Sequence, residues 1–134
     1  MASNLKYSNG TRDAQQQGLI TYAGTGSIIR IYDGTQPTNA NTAISTQTLI
    51  VSLTVTGSFG TDSNGTITIG SVTSGTAVAS STATFFRIVK SDGTTVVMDG
   101  SVGTSGADLN LNSTTVSSGQ VVAITAGTII RGNA

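Results

Sequence analysis

The segment Thr48-Leu-Ile-Val-Ser-Leu-Thr-Val-Thr sets the period of this chain. Leu49, Val51, Leu53 and Val55 fall on one side of an extended backbone, and Ser52, Thr54 and Thr56 on the other. Alternation of this kind marks a strand with one face buried and one face wet. The same period returns in Ser27-Ile-Ile-Arg-Ile-Tyr-Asp, with Ile29 and Ile31 on one face and Ile28, Arg30 and Tyr32 on the other. Shorter runs follow at Thr66-Ile-Thr-Ile, Thr82 to Lys90, Thr94 to Met98, Asp108 to Asn112, Gln120 to Thr125, and Thr128-Ile-Ile-Arg.

Turn signals separate these runs. Asn64-Gly65 predicts a tight hairpin ahead of Thr66, and Ser91-Asp92-Gly93 another between Lys90 and Thr94. Asp33-Gly34 stops the Ser27 strand, and a long loop follows around Pro37, the one proline. Residues 73–81 read as a loop with a short strand, and Asp99-Gly-Ser-Val-Gly-Thr-Ser-Gly-Ala as a glycine-rich loop. The spacing predicts an all-β, single-domain β-sandwich of about eight short antiparallel strands, jelly-roll-like because of the long connections at 33–47 and 99–108.

Residues 1–26 differ from the rest and divide the expected organisation into an N-terminal arm or short helix (1–26) and a sandwich (27–134). Asn9 or Thr11 could cap a helix and Gly24 could end it. Leu19, Ile20 and Ala23 would form its apolar stripe, although Gly18 weakens it. An extended arm is the alternative. The opening residues Met1 to Tyr7 lack the apolar run of a secretory signal, and no apolar run is long enough for a membrane helix.

Composition narrows the chemistry. The 134 residues include 24 Thr, 17 Ser and 17 Gly, six Asp, and no Glu, His, Cys or Trp. Without His there is no imidazole proton shuttle, and without His and Cys the common zinc, haem and iron–sulfur ligands are missing. Charged residues are 9% of the chain against about a quarter in most soluble domains. Six basic residues balance the six Asp, so the basic footprint of a nucleic-acid binder is absent. Low charge leaves little repulsion between copies, which suits dense packing and self-association.

Several constellations imitate functional motifs. Gly100, Gly103 and Gly106 are spaced like a phosphate loop, but neither a following helix nor a nearby Lys is expected. Asp62-Ser-Asn-Gly and Asp108-Leu-Asn-Leu-Asn offer oxygens at alternate positions, too few for calcium without other segments. In the second, Asp108, Asn110 and Asn112 would share one strand face and could form an interface ladder. Asp92 and Asp99 are not placed together by their spacing, and no motif surrounds Lys6 or Lys90 as a base for a nucleophilic Ser. Arg87 interrupts an apolar strand and must leave the core face, either into solvent or into an ion pair between subunits. Asn9, Asn64 and Asn112 head glycosylation-type triplets of the kind a chain this rich in Ser and Thr contains by chance. For sugars, only Tyr7, Tyr22 and Tyr32 supply platforms besides Phe.

Three stretches carry a resemblance: Ile29-Arg-Ile-Tyr-Asp-Gly-Thr-Gln-Pro-Thr-Asn-Ala-Asn, Phe85-Phe-Arg-Ile-Val-Lys-Ser-Asp-Gly-Thr-Thr-Val-Val, and Asp99-Gly-Ser-Val-Gly-Thr-Ser-Gly-Ala-Asp-Leu-Asn-Leu-Asn. With them the chain resembles a group of small structural proteins encoded by tailed bacteriophages, over nearly its whole length. The resemblance implies a non-enzymatic virion component without cofactors: a decoration or cement protein on the outer head surface. Its partners would be the major capsid protein and further copies of itself, in an oligomer such as a trimer, with no nucleic acid and no membrane. A tail, collar or baseplate component and a carbohydrate- or receptor-binding module are the competing expectations. The candidate interface residues are Arg12, Leu19, Ile20, Tyr22, Arg87, Asp108, Asn110 and Asn112.

Overall fold

The computed structural model describes residues 6–130. One helix, α1 (Asn9–Ala23), leads into strand β1 (Ile28–Tyr32). After the 33–48 loop come β2 (Leu49–Val55), β3 (Gly60–Ser63), β4 (Thr66–Ile69), β5 (Val72–Thr73), β6 (Gly75–Thr76) and β7 (Ser81–Thr82). Then follow β8 (Phe85–Val89), β9 (Val96–Gly103), β10 (Leu109–Leu111), β11 (Thr115–Val116), β12 (Val121–Val122) and β13 (Ile124–Ile130). The all-β expectation holds, with more and shorter strands than the eight expected.

The N-terminal segment is a helix from Asn9 onward, and its cap is Ser8 rather than Asn9 or Thr11. Ser8 Oγ accepts from the Thr11 N–H at 3.2 Å, which satisfies one of the donors a helix start leaves open. Gly24 ends it with φ 71°, donating its N–H to the Ile20 carbonyl at 3.1 Å. Gly18 is tolerated because it lies on the exposed side, where a Cβ would touch nothing. The inward stripe is the buried Gln16 and Ala23 with the partly buried Leu19 and Ile20, one residue longer than the apolar pattern shows.

Nine strands form one sheet in the order β3-β4-β13-β10-β9-β8-β1-β2-β5. Its two ends belong to a single bent hairpin. Thr56 N–H donates to Ser71 O at 2.8 Å and Gly70 N–H to Phe59 O at 2.9 Å, so pairing runs across the bend from β3–β4 into β2–β5. The far half of this hairpin pairs through β4 with β13, and its near half through β2 with β1. The sheet therefore curls back on itself around one apolar core that includes Ile29, Ile31, Leu53, Phe59, Ile67, Phe86, Ile88, Leu109 and Ile129. Phe59 sits at the bend and is fully buried. Fully burying one such large side chain stabilises the fold by roughly 1.5–3 kcal/mol.

Both expected hairpins form. Ser63 pairs with Thr66 across Asn64 (φ 51°) and Gly65 (φ 81°), the two left-handed residues of a tight hairpin turn. Phe85 to Val89 pairs with Ser101 to Val96 across the Asp92-Gly93 turn. Two expectations are corrected. The sheet is mixed, because β9 and β10 are parallel at Leu109↔Val102 and Asn110↔Gly103. The Asp99–Gly103 stretch is strand, and the turn occupies only residues 104–108. Asp108 makes the short parallel return possible: its carboxylate accepts from both the backbone N–H and Oγ of Ser101, each at 3.0 Å.

Segments 75–83 and 114–122 run against each other through β6–β12 and β7–β11. They place Ala77, Ala83, Val116 and Val122 into the same core. The segment 73–81, expected as a loop with a short strand, holds β6 (Gly75–Thr76) and forms part of a small covering ladder.

Candidate interface surfaces

Gln16 joins the helix to the sheet. Its Nε2 donates to Gly65 O at 2.8 Å and to Ile129 O at 2.9 Å. Asp13 accepts from the Gly65 N–H at 2.7 Å, and Gln17 donates to Asp62. The β3–β4 turn is therefore held on its N–H and C=O by one helix. Leu19 and Ile20 pack partly buried against the core, so most of this apolar pair is spent inside the subunit. Arg12 is half-buried, donates to Asn9 Oδ1 at 3.3 Å and lies against Gly65, where a Cβ would stand 2.7 Å from its Nε. Tyr22 is 51% exposed, with Lys90 Nζ 4.5 Å from its ring centroid. Among the candidate residues on the helix, Tyr22 presents the most open apolar surface.

Arg87 is not solvated. It leaves the core face as expected but is only 4% exposed. Nε and Nη2 donate to Asp99 Oδ1 and Oδ2 at 2.7 and 2.9 Å. The pair is set by register, since Arg87 lies opposite Asp99 on one side and Arg30 on the other. Phe85 and Val89, its neighbours on the same face of β8, are buried, and Phe85 stacks on Tyr32 with ring centroids 5.3 Å apart. Hydrogen bonding to the Asp99 carboxylate raises the Arg87 pKa above its ordinary value, against the desolvation that lowers it.

Asp108, Asn110 and Asn112 do not form a free ladder. Asn110 Oδ1 accepts from Ala107 N–H at 3.1 Å. Asn112 accepts from Ala123 N–H at 3.2 Å and donates to Val121 O at 3.3 Å. A register shift between Asn110 and Leu111 also breaks their alignment. Asp108 and Asn112 tie the two ends of β10 to neighbouring segments, and Asn110 closes the turn before it.

The mimics resolve into structure. Gly100 is a strand residue opposite Phe86, and a Cβ there would stand 2.5 Å from the Phe86 ring. Asp92 accepts from the Thr94 and Thr95 N–H groups, each at 2.9 Å, and from Thr95 Oγ1 at 2.5 Å. These bonds hold its pKa down at about 2. Asp33 is lowered by the Ser81 hydroxyl at 2.7 Å and the Thr48 N–H at 2.6 Å, and closes the 33–48 loop. Tyr32 is buried. Among the described residues no group of three or more Asp side chains gathers as a metal site, and no helix is long and apolar enough to cross a membrane.

Sequence reasoning missed Gln16, Asp13 and one surface feature. Upstream of its pairing with β4 at Thr128–Ile130, β13 leaves Ile124–Gly127 paired only on the β10 side. There β4 and β5 bend away with β2, and an open groove of about 370 Å3 separates them. It is lined by Thr68, Ile69, Gly70 and Val72 on one rim and by Ile124 to Thr128 on the other. Comparison with family models, with curated proteins and with solved structures found no match for the chain.

Proposed function

We propose that the chain is a structural protein of a tailed-phage virion, a decoration protein that binds the outer head surface as an oligomer and clamps neighbouring capsomers. The observation that carries this reading is where the resembling stretches fall. They supply β1, β8, β9 and β10, four strands that are neighbours in the sheet. The three stretches that carry the resemblance thus lie in one continuous, hydrogen-bonded slab of the body. The jelly-roll sandwich belongs to this proposal, and the curl of the sheet around one core supports it.

The physical properties suit the role. A body whose strand ends are closed by one hairpin is rigid, and a neutral surface rich in Ser and Thr lets copies crowd without long-range repulsion. Many modest contacts repeated over a lattice give high total avidity. The test is to mix the purified chain with heads of its phage assembled without it, and to sediment them. Saturable binding on the outer head surface supports the reading. Binding to tails alone, or to no particle, overturns it.

A further inference from the structure

We propose that the corner formed by Tyr22, Arg30 and Lys90 is a docking surface for an acidic segment of a partner protein. Among the described residues Arg87 is held by Asp99, and Lys6 and Arg12 make contacts of their own. Arg30 and Lys90 have no carboxylate or other hydrogen-bond acceptor there. Both stand at the β8–β9 turn. Lys90 opens the turn, its carbonyl accepting from the Gly93 N–H at 2.9 Å, and its Nζ lies over the exposed Tyr22 ring. Arg30 reaches the same turn from β1, with Nη2 3.3 Å from the position that a Cβ on Gly93 would take.

Arg30 is the informative residue. It lies directly opposite Arg87 across β1 and β8, on the same face of the sheet. Like charges placed so work against the pairing of their strands. Arg87 has Asp99 to offset it, and the chain holds no further carboxylate for Arg30. Asp13, Asp33, Asp62 and Asp108 accept from donors elsewhere in the fold. Asp92, in the turn itself, is taken up by three bonds from Thr94 and Thr95. The corner therefore sets two cations against one committed carboxylate. A guanidinium accepts a carboxylate through two parallel hydrogen bonds, and a lysine adds a second point of charge. The two approach the turn from different strands, so a segment with two or more carboxylates fits them better than one small anion. Tyr22, 51% exposed, offers the apolar stems of such side chains a surface to cover. On a body with so few charges this corner also fixes orientation. The inference rests on the decoration reading only for the owner of the segment, which would be the shell protein. The recognition itself is tested on the chain alone.

Hexaglutamate peptide is titrated at low salt into the isotope-labelled protein and followed by NMR, beside inorganic phosphate and hexaglutamine. The expected result is saturable shifts of the Tyr22, Lys90 and Gly93 amides and of the Arg30 Nε–H. Half-saturation should come at least tenfold below that of phosphate, rise with salt, and be absent with hexaglutamine. Arg30→Gln with Lys90→Gln should weaken binding at least tenfold and leave distant resonances in place. Arg30→Gln alone should not lower the melting temperature, because it removes a charge opposite Arg87. Shifts spread over the surface, phosphate binding equal to the peptide's, or unchanged binding by the double variant overturns the proposal. So does a fall in melting temperature in Arg30→Gln, which would assign Arg30 to the fold. Sedimentation with heads separates the two readings. Equal head binding by the parent and the double variant overturns the corner as the docking contact and leaves the decoration reading standing. Peptide binding by a chain that binds no heads removes the decoration reading alone.

Discussion

Arg87 and Asp99 face each other across β8 and β9 and share two hydrogen bonds, of 2.7 and 2.9 Å, on the side of the sheet away from the main core. The pair is nearly inaccessible, with side chains 5% and 4% exposed. A charge enclosed in this way is tolerable only while its partner stays in place.

Asp99→Ala should therefore destabilise the fold by about 3 kcal/mol, because it strands the guanidinium. Replacing both residues, Arg87→Met with Asp99→Leu, should recover most of that loss. Urea unfolding of the parent protein and both variants measures this. Equal loss in the single and double variants would mean that packing, not charge pairing, explains the effect.

Gln16→Ala should cost about 1–3 kcal/mol, since it leaves the Gly65 and Ile129 carbonyls without their donor. Exchange of amides in the β3–β4 hairpin should accelerate before the rest of the sheet. A uniform change across the molecule would contradict a local clamp.

Gly100→Ala places a methyl group where the Phe86 ring lies, at 2.5 Å. The ring must rotate or the strands must part, at a cost of roughly 1–3 kcal/mol for overpacking. The double variant with Phe86→Leu should be more stable than the sum of its parts. Strict additivity in thermal unfolding would contradict the contact.

The Asp92 carboxyl should titrate with a midpoint of about 2, followed by NMR through its own carboxyl carbon and the Thr95 amide. Its folded pKa lies below the unfolded value, so its contribution is full above about pH 4 and fades as pH falls through 2. Asp92→Asn should abolish this titration and loosen the turn. A midpoint near 3.8 would show that the Thr94 and Thr95 bonds are not held in solution.

Much of the strand layout is legible in the sequence, because alternation and Asn-Gly or Asp-Gly turns act locally. Leu53 and Val55 are buried, Ser52 and Thr54 exposed, and both hairpins close where their dipeptides stand. What the sequence hides is long-range. Gln16 reads as a polar helix residue until the Gly65 and Ile129 carbonyls, 49 and 113 positions away, are brought beneath it. Arg87 reads as solvated or paired between subunits until register sets Asp99 beside it. Gly100 reads as loop until the Phe86 ring fills the space of its missing side chain. The groove at β13 arises where two strands diverge, and no local pattern encodes a divergence.

The most direct test of the decoration reading is the copy number of this chain in purified virions, measured by quantitative mass spectrometry against the major capsid protein. The account predicts hundreds of copies at a fixed ratio to the shell subunit. A dozen copies, or none, would contradict it.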